Sequence, residues 1–388
     1  MARSAGRIGL GIVVGSLLAA GVGIAQRAIV RRAGTRLLDW TAVREIARRR
    51  LGAAGAPLDA TVRADAETFY TKALRRIEPL IAAEFGSPLP AALETPVVLD
   101  RRQWIDLNLA TFEALFDRVE HRVMAGSGPA DTPGRALARI LNRSLGNQQL
   151  GLLLAFLGRK VLGQYDIALL AAAATARGRL AFVEPNVAAT AVAMRLDLAE
   201  LRTFVALHEA THAFEFEAHP WVRGHFAGLV GEALDVFSAD SGSLLTRLRA
   251  SAAQRGGHWL ERLMTPAQLV PFRRTQALMS LMEGYANHVM HGIGAQILPG
   301  FDRLHERFER RNQARGALER TILRVTGLDL KLEQYAAGER FVQAVVAARG
   351  SEFLHRVWTG PAALPELDEI RRPARWIGRM EQAGGGVG

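Results

Sequence analysis

Leu207-His208-Glu209-Ala210-Thr211-His212 contains the pattern H-E-x-x-H. Residues four positions apart lie on the same face of a helix, so His208 and His212 can direct both imidazoles at one metal ion. Glu209 is offset by about 100° around the helix axis. It is therefore placed to take a proton from a metal-bound water rather than to be a third ligand. The stretch predicts a zinc site on a helix. The alternative is an amphipathic helix whose histidines lie on its surface or in the core.

The composition restricts which atoms could hold such a metal. The chain has 388 residues, is 49% hydrophobic and contains no cysteine. This length allows one large domain or two to three ordinary ones. The absence of cysteine excludes a disulfide scaffold, a thiolate metal site and a cysteine nucleophile. A bound zinc must therefore be held by histidine and carboxylate side chains.

The positive charge is concentrated at the N-terminus. The net charge is +11, and the first 36 residues contain six arginines and no acidic residue. A basic, apolar segment suits a membrane surface better than a nucleic-acid groove. The chain has neither zinc-finger spacing nor a basic motif interleaved with aromatic residues, so we expect no nucleic-acid partner.

Residues 8–25 are apolar or small except for Ser16. Eighteen such residues are just enough to span a bilayer. The arginines that follow hinder export and favour an anchor, or a peripheral association, that leaves the remainder in the cytoplasm. A cleaved signal peptide and a glycine-rich helix packed on the protein are the alternatives. We therefore predict a cytoplasmic protein with a membrane-associating segment at 1–36.

The rest of the chain reads as mainly α, with a small β element beside the HExxH helix. Apolar residues recur at helical spacing, and Asp197 is placed to cap the motif helix, which we expect to end near Ala218. The other predicted helices include 60–85, 101–124, two apolar helices within 135–163, and 266–291. Short strands are predicted at 97–99 and 180–184, the second as an edge strand lining the substrate cleft.

A catalytic zinc needs a third protein ligand. Glu283 lies within an apolar helical face, where a carboxylate is costly to bury unless it is paired or bound to metal. That face also carries Met290 and is expected to meet the motif helix. A buried ion pair to Arg273 or Arg274 is the alternative role of Glu283. The other candidate ligands are Glu232, His219 and His225, whereas Glu215 and Glu217 are too close to His212 to fold back onto the metal.

Several stretches, taken together in order, resemble a known family. They are Asp39-Trp40, DRRQW at 100–104, LGQYD at 162–166, FVEPN at 182–186, ALHEATHAFEFEAHPW at 206–221 and LMEGYANHVMH at 281–291. This set resembles the type 2 zincin-like metallopeptidases, also labelled deazaflavin-coenzyme biosynthesis-associated proteins. The resemblance covers about 37–375, which we expect to form one domain between the segment 1–36 and a flexible tail at 376–388.

The resemblance implies a mostly helical zincin-like fold that binds Zn²⁺. Its ligands would be His208, His212 and Glu283, with Glu209 as the catalytic carboxylate. These residues predict a peptidase or amidase acting on a peptide or protein substrate through metal-activated water. Tyr285 is the foremost candidate to stabilise the oxyanion, and His225, His288 and His291 remain open. The alternatives are a zinc-stabilised, non-catalytic binding protein, linked to coenzyme biosynthesis or the membrane, and a membrane-associated helical protein without metal.

Overall fold

The computed structural model describes residues 38–86, 95–125, 133–165, 179–239, 264–313 and 328–384, and the fold is that of these residues. The basic segment at 1–36, with its predicted membrane association, lies outside them. Within the described ranges, no helix has the length and apolar character needed to cross a bilayer.

Helices make up most of the described chain, which confirms the mainly α prediction. The α-helices are α1 (Trp40–Leu51), α2 (Ala60–Phe85), α3 (Arg101–Ala125), α4 (Pro133–Gly158), α5 (Glu184–Met194), α6 (Leu198–Glu217), α7 (Pro220–Ala239), α8 (Pro266–Ile297), α9 (Phe301–Gln313), α10 (Leu328–Arg349), α11 (Ser351–Leu354), α12 (Leu367–Arg371) and α13 (Pro373–Gly384). The strands are β1 (Val97–Leu99), β2 (Gly163–Tyr165) and β3 (Leu180–Val183), and short 3-10 turns span Gly52–Gly55, His355–Trp358 and Pro361–Ala363.

The motif helix α6 begins and ends close to where its sequence predicts. The side chain of Asp197 accepts a hydrogen bond from the backbone N–H of Glu200, which satisfies one of the free donors of the first turn. The helix ends at Glu217, and Pro220 starts α7 after a short turn. Helix α8 starts with a capping box between Thr265 and Gln268 and continues beyond the predicted end.

The three strands form one small sheet in the order β1-β3-β2, with β1 parallel and β2 antiparallel to β3. The prediction that 180–184 is an edge strand is therefore wrong, because β3 lies in the middle. All four of its residues are buried, as in a strand that is covered on both faces. Both β2 and β3 contact the motif helix, and β2 makes the more extensive contact.

Two helical predictions need correction. The expected pair of apolar helices within 135–163 is one continuous helix, α4. The expected flexible tail at 376–388 is also wrong in its first part, because α13 continues to Gly384. Trp376 is fully buried, and its indole N–H donates to the carbonyl of Ala363 at 2.8 Å. The apolar face of α13 therefore belongs to the core, and of the predicted tail only residues 385–388 lie outside the described ranges.

Helix α8 is the centre of the described fold and packs against both α6 and α10. Its close contact with α10 depends on Gly338, where an added Cβ would lie only 1.8 Å from the carbonyl oxygen of Ser280. No side chain larger than hydrogen fits there, because that distance is far below van der Waals contact. The backbone of α10 can therefore approach the turn of α8 that precedes Glu283, which is fully enclosed.

Candidate metal centre

Helices α6 and α8 bring His208, His212 and Glu283 together. One ligand atom of each residue lies within 4.8 Å of the others. The two Nε2 atoms are 3.2 Å apart, and Nε2 of His212 is 3.9 Å from Oε2 of Glu283. The three residues are between 1% and 3% exposed. Glu283, which lies 71 and 75 positions after the two histidines, therefore meets them at one buried point.

These side chains fit a zinc ion. Two nitrogens at about 2.0–2.1 Å from a tetrahedral zinc are about 3.3 Å apart, close to the separation of the two imidazoles. Oε2 of Glu283 is buried and has no hydrogen-bond partner among the described residues. An unpaired buried carboxylate oxygen is costly, and a cation offsets that cost. The ion pair that the structure gives Glu283 is with His212 rather than with an arginine.

The structure does not bring the other candidate ligands to this point. Glu232 is exposed and lies 4.0 Å from Arg274. His219 stacks on Trp358, with 4.7 Å between ring centroids. His225 lies beside Trp221, at 6.1 Å between centroids. Glu217 accepts hydrogen bonds from the Tyr165 hydroxyl and the Arg223 guanidinium. In the described part of the chain, His208, His212 and Glu283 are the one group of three with metal-ligand spacing.

Glu209 points towards strand β2. Its Oε2 accepts a hydrogen bond from the backbone N–H of Tyr165 at 3.0 Å. Burial raises the pKa of the Glu209 carboxyl to about 7, against the lowering effect of the His212 charge. Gly163 makes this approach feasible, because a Cβ there would lie 2.6 Å from Cγ of Glu209. The carboxylate is thus held beside the two histidines by a strand that touches it directly.

Side chains from the stretches that resemble the zincin-like metallopeptidases fix the position of β2. The indole N–H of Trp104 donates to Oε1 of Gln164 at 2.8 Å. Arg101 donates to Oδ1 of Asn186 at 2.6 Å, and the amide of Asn186 donates to the carbonyl of Val161 at 2.7 Å. These side-chain bonds, of which those of Trp104 and the Asn186 amide are buried, join the start of α3, the turn before β2 and the start of α5. They leave β2 little freedom to move away from Glu209.

Glu215 is a residue of the site that the sequence does not identify. Its Oε2 lies 2.8 Å from Nδ1 of His212. The prediction that Glu215 cannot be a ligand agrees with this position, since Nδ1 is on the far side of the ring from Nε2. Burial alone would lower the pKa of His212, but Glu215 and the other nearby carboxylates raise it. The i, i+3 spacing to a predicted metal ligand is the signal that could have revealed this contact.

Met290 lies beside the other histidine, with its Sδ 3.2 Å from Nδ1 of His208. Met290 shares the helical face of Glu283, so the prediction that this face meets the motif helix is confirmed. The two imidazoles therefore have different neighbours at Nδ1: a carboxylate at His212 and a thioether at His208.

Tyr285 is fully buried, two residues after Glu283. This spacing rotates it about 200° around the axis of α8, away from the carboxylate. Its ring packs at 5.3 Å from Phe85 and 5.1 Å from Trp358, and burial raises the pKa of its hydroxyl. The role of Tyr285 as an oxyanion donor stays a prediction.

Comparison with known proteins identifies the family. The family model described as "Zincin-like metallopeptidase" matches residues 38–377. The chain belongs to the zincin-like metallopeptidase family. It is also similar to a crystal structure from Chloroflexus aurantiacus, described as "a putative hydrolase with a novel fold". The two are 39% identical, with a TM-score of 0.67, and the match covers 89% of this chain and 99% of that one. No match was found among curated proteins.

Proposed function

We propose that this protein is a zinc-dependent peptidase or amidase. The family supports a metallopeptidase, and the description of the similar structure supports a hydrolase more generally. The single observation that carries the proposal is the meeting of His208, His212 and Glu283 at one buried point, with Glu209 beside them.

The three ligands suit a catalytic metal. Nε2 of His208 and Nε2 of His212 would provide nitrogen ligands, and Glu283 an anionic oxygen ligand. Three protein ligands leave one coordination position for water or substrate, as in catalytic zinc sites. When bound, zinc would polarise the scissile carbonyl and lower the pKa of its water ligand towards about 7.

Glu209 would act as the general base. The Tyr165 N–H engages Oε2, which leaves Oε1 to accept a proton from the attacking water and then deliver it to the leaving amine. Burial raises the pKa of this carboxyl to about 7. Such a value suits a group that must both accept and release a proton near neutral pH.

A zinc-stabilised binding protein is the second candidate, and the depth of the site favours it. Glu209 and the three ligands are each at most 3% exposed. Structural zinc sites are closed by a fourth protein ligand. His208, His212 and Glu283 are a group of three within the described residues, which supports the catalytic assignment over this alternative.

The test separates zinc binding from hydrolysis. The full chain is purified, its zinc content is measured by mass spectrometry, and fluorescent casein and peptide libraries are screened for cleavage. We expect about one zinc per chain and hydrolysis that a chelator abolishes. Glu209→Gln should keep the zinc and lose at least about 100-fold in kcat, since general-base catalysis contributes about 10²–10⁴-fold. Equal turnover by Glu209→Gln, or a wild-type chain that does not bind zinc, would overturn the proposal.

A further inference from the structure

The imidazole of His212 is held at both of its nitrogens. Nε2 faces His208 and Glu283, whereas Nδ1 lies 2.8 Å from Oε2 of Glu215. Glu215 lies one helical turn further along α6 and is completely buried. The contact is therefore shielded from water, which makes it stronger than the same pair on a surface.

This contact determines which nitrogen can bind a metal. When Glu215 is ionised it can only accept hydrogen bonds, so the proton of a neutral His212 imidazole is then on Nδ1. Nε2 is then left with a free lone pair directed at His208 and Glu283. A metal-ligating histidine whose other nitrogen donates to a carboxylate is held in one tautomer and one ring orientation, and is a more basic ligand.

The charges of the site also favour metal binding at His212 with Glu215 behind it. Two neutral imidazoles and the Glu283 carboxylate would leave one positive charge on a bound divalent ion in a buried environment. Counted without Glu209, whose carboxyl must itself exchange a proton, the carboxylate of Glu215 balances the remaining charge on the ion and its ligands. Oε1 of Glu215 has no hydrogen-bond partner among the described residues, so the charge of this side chain is balanced mainly through His212. A buried carboxylate in that position is costly unless its histidine carries or binds a positive charge.

The second ligand provides an internal comparison. Nδ1 of His208 lies 3.2 Å from the thioether of Met290, which is a weak hydrogen-bond acceptor. The two histidines of H-E-x-x-H therefore have different neighbours at Nδ1, a thioether at His208 and a carboxylate at His212.

We propose that Glu215 is a positioning residue of the metal centre, which fixes the Nδ1–H tautomer of His212 and strengthens its bond to zinc. This inference rests on the proposed zinc site. It assigns no contact with substrate to Glu215.

The experiment compares zinc affinity in three variants of the full chain. In Glu215→Gln the amide oxygen can still accept from Nδ1–H, but the charge is lost. Glu215→Ala removes the acceptor as well. Glu184→Gln is the matched control, because Glu184 is also a buried carboxylate but binds Tyr70 and Arg202 away from the centre. Zinc Kd is measured by competition with a coloured chelator, and the folding of each variant is checked by circular dichroism.

We expect Kd to rise about 10–100-fold in Glu215→Ala, the usual effect of removing a partner of a metal ligand. Glu215→Gln should fall between Glu215→Ala and the wild type. Glu184→Gln should lower the melting temperature without changing Kd. The absorption of the Co²⁺-substituted protein should shift in both Glu215 variants and stay unchanged in the control. A purely structural role of Glu215 would not produce this spectral shift.

Each outcome is decisive. Zinc affinity within twofold of wild type in Glu215→Ala overturns the inference while leaving the proposed function intact. Should Glu215→Ala not fold, the isosteric Glu215→Gln decides by the same criterion, with Kd and the Co²⁺ spectrum as readouts. A wild-type chain that does not bind zinc defeats the proposed function and this inference together.

Discussion

The backbone N–H of Tyr165 donates a hydrogen bond to Oε2 of Glu209, across the contact between a β-strand and the motif helix. A backbone donor has no rotamers, so the strand fixes one carboxylate oxygen and leaves the other available. The position of β2 is therefore a geometric requirement of the proposed proton transfer, since catalytic groups that are displaced by about 1 Å can lose about 10²-fold in rate.

Gly163→Ala tests this requirement. An added Cβ would lie 2.6 Å from Cγ of Glu209, so strand and carboxylate must separate. We expect kcat to fall about 10–100-fold, with zinc content unchanged and stability lowered by about 1–3 kcal/mol. The measurements are steady-state kinetics on the best casein-derived substrate and zinc analysis of the same sample. Gly158→Ala is the control, because its added Cβ would meet only ordinary contacts at 3.4 Å and beyond. Equal loss of kcat in both variants would contradict the predicted role of β2.

Glu283→Gln should have different effects with and without zinc. In the metal-free protein it removes a buried charge whose Oε2 has no hydrogen-bond partner among the described residues and whose ion pair with His212 is long, at 3.9 Å, so stability should change by less than about 1 kcal/mol. With zinc at about 100 times the wild-type Kd, the wild type should gain about 2.7 kcal/mol, most of which the variant should lose. Melting curves with chelator and with zinc measure both effects. Glu232→Gln, which alters an exposed carboxylate, should behave like wild type in both conditions. A full zinc response in Glu283→Gln would rule out Glu283 as a ligand.

Local signals in the sequence predict much of this site. The cap at Asp197 and the H-E-x-x-H spacing depend on neighbouring residues, so they can be read directly. The pairing of Glu283 with the motif helix is a long-range contact, but the cost of burying a carboxylate in an apolar face reveals it. The order of the strands has no such signal, because β3 pairs on one side with β1, which lies far back in the chain, and on the other with the nearer β2. The i, i+3 spacing places Glu215 and His212 on one side of α6, but it does not by itself show that the carboxylate turns towards Nδ1.

Trp376→Ala tests whether α13 belongs to the folded core. The fully buried indole packs at 5.5 Å from the Phe341 ring and 5.6 Å from the Phe353 ring, between centroids. Removing a buried tryptophan side chain costs about 3–5 kcal/mol, so urea unfolding of Trp376→Ala should show that loss. Truncation after residue 375 should destabilise the protein at least as much, whereas truncation after residue 384 should leave it unchanged. A truncation at 375 with wild-type stability would restore the interpretation of 376–388 as a flexible tail.

His219 should make the stability of the metal-free protein depend on pH. Its ring stacks on Trp358, and burial, assisted by the charge of His355, lowers the pKa of His219 to about 4. The unfolded chain, with a histidine pKa near about 6.5, binds more protons than the folded chain between these two values. Stability from His219 is therefore complete above about pH 6.5 and is lost as the pH falls towards 4. Because the ring is only half-buried, solvent screening limits the loss to about 1–2 kcal/mol.

His219→Phe keeps a stacked ring and removes the titrating group. Urea unfolding of chelator-treated wild type and variant at pH 7.5 and pH 5 should give a smaller pH-dependent loss for the variant, while the other titrating groups contribute equally to both proteins. An NMR titration of the wild-type imidazole provides the direct measurement, with a midpoint expected at about pH 4. A midpoint near about 6.5, the value of an unperturbed histidine, would show that stacking on Trp358 does not exclude water from the ring.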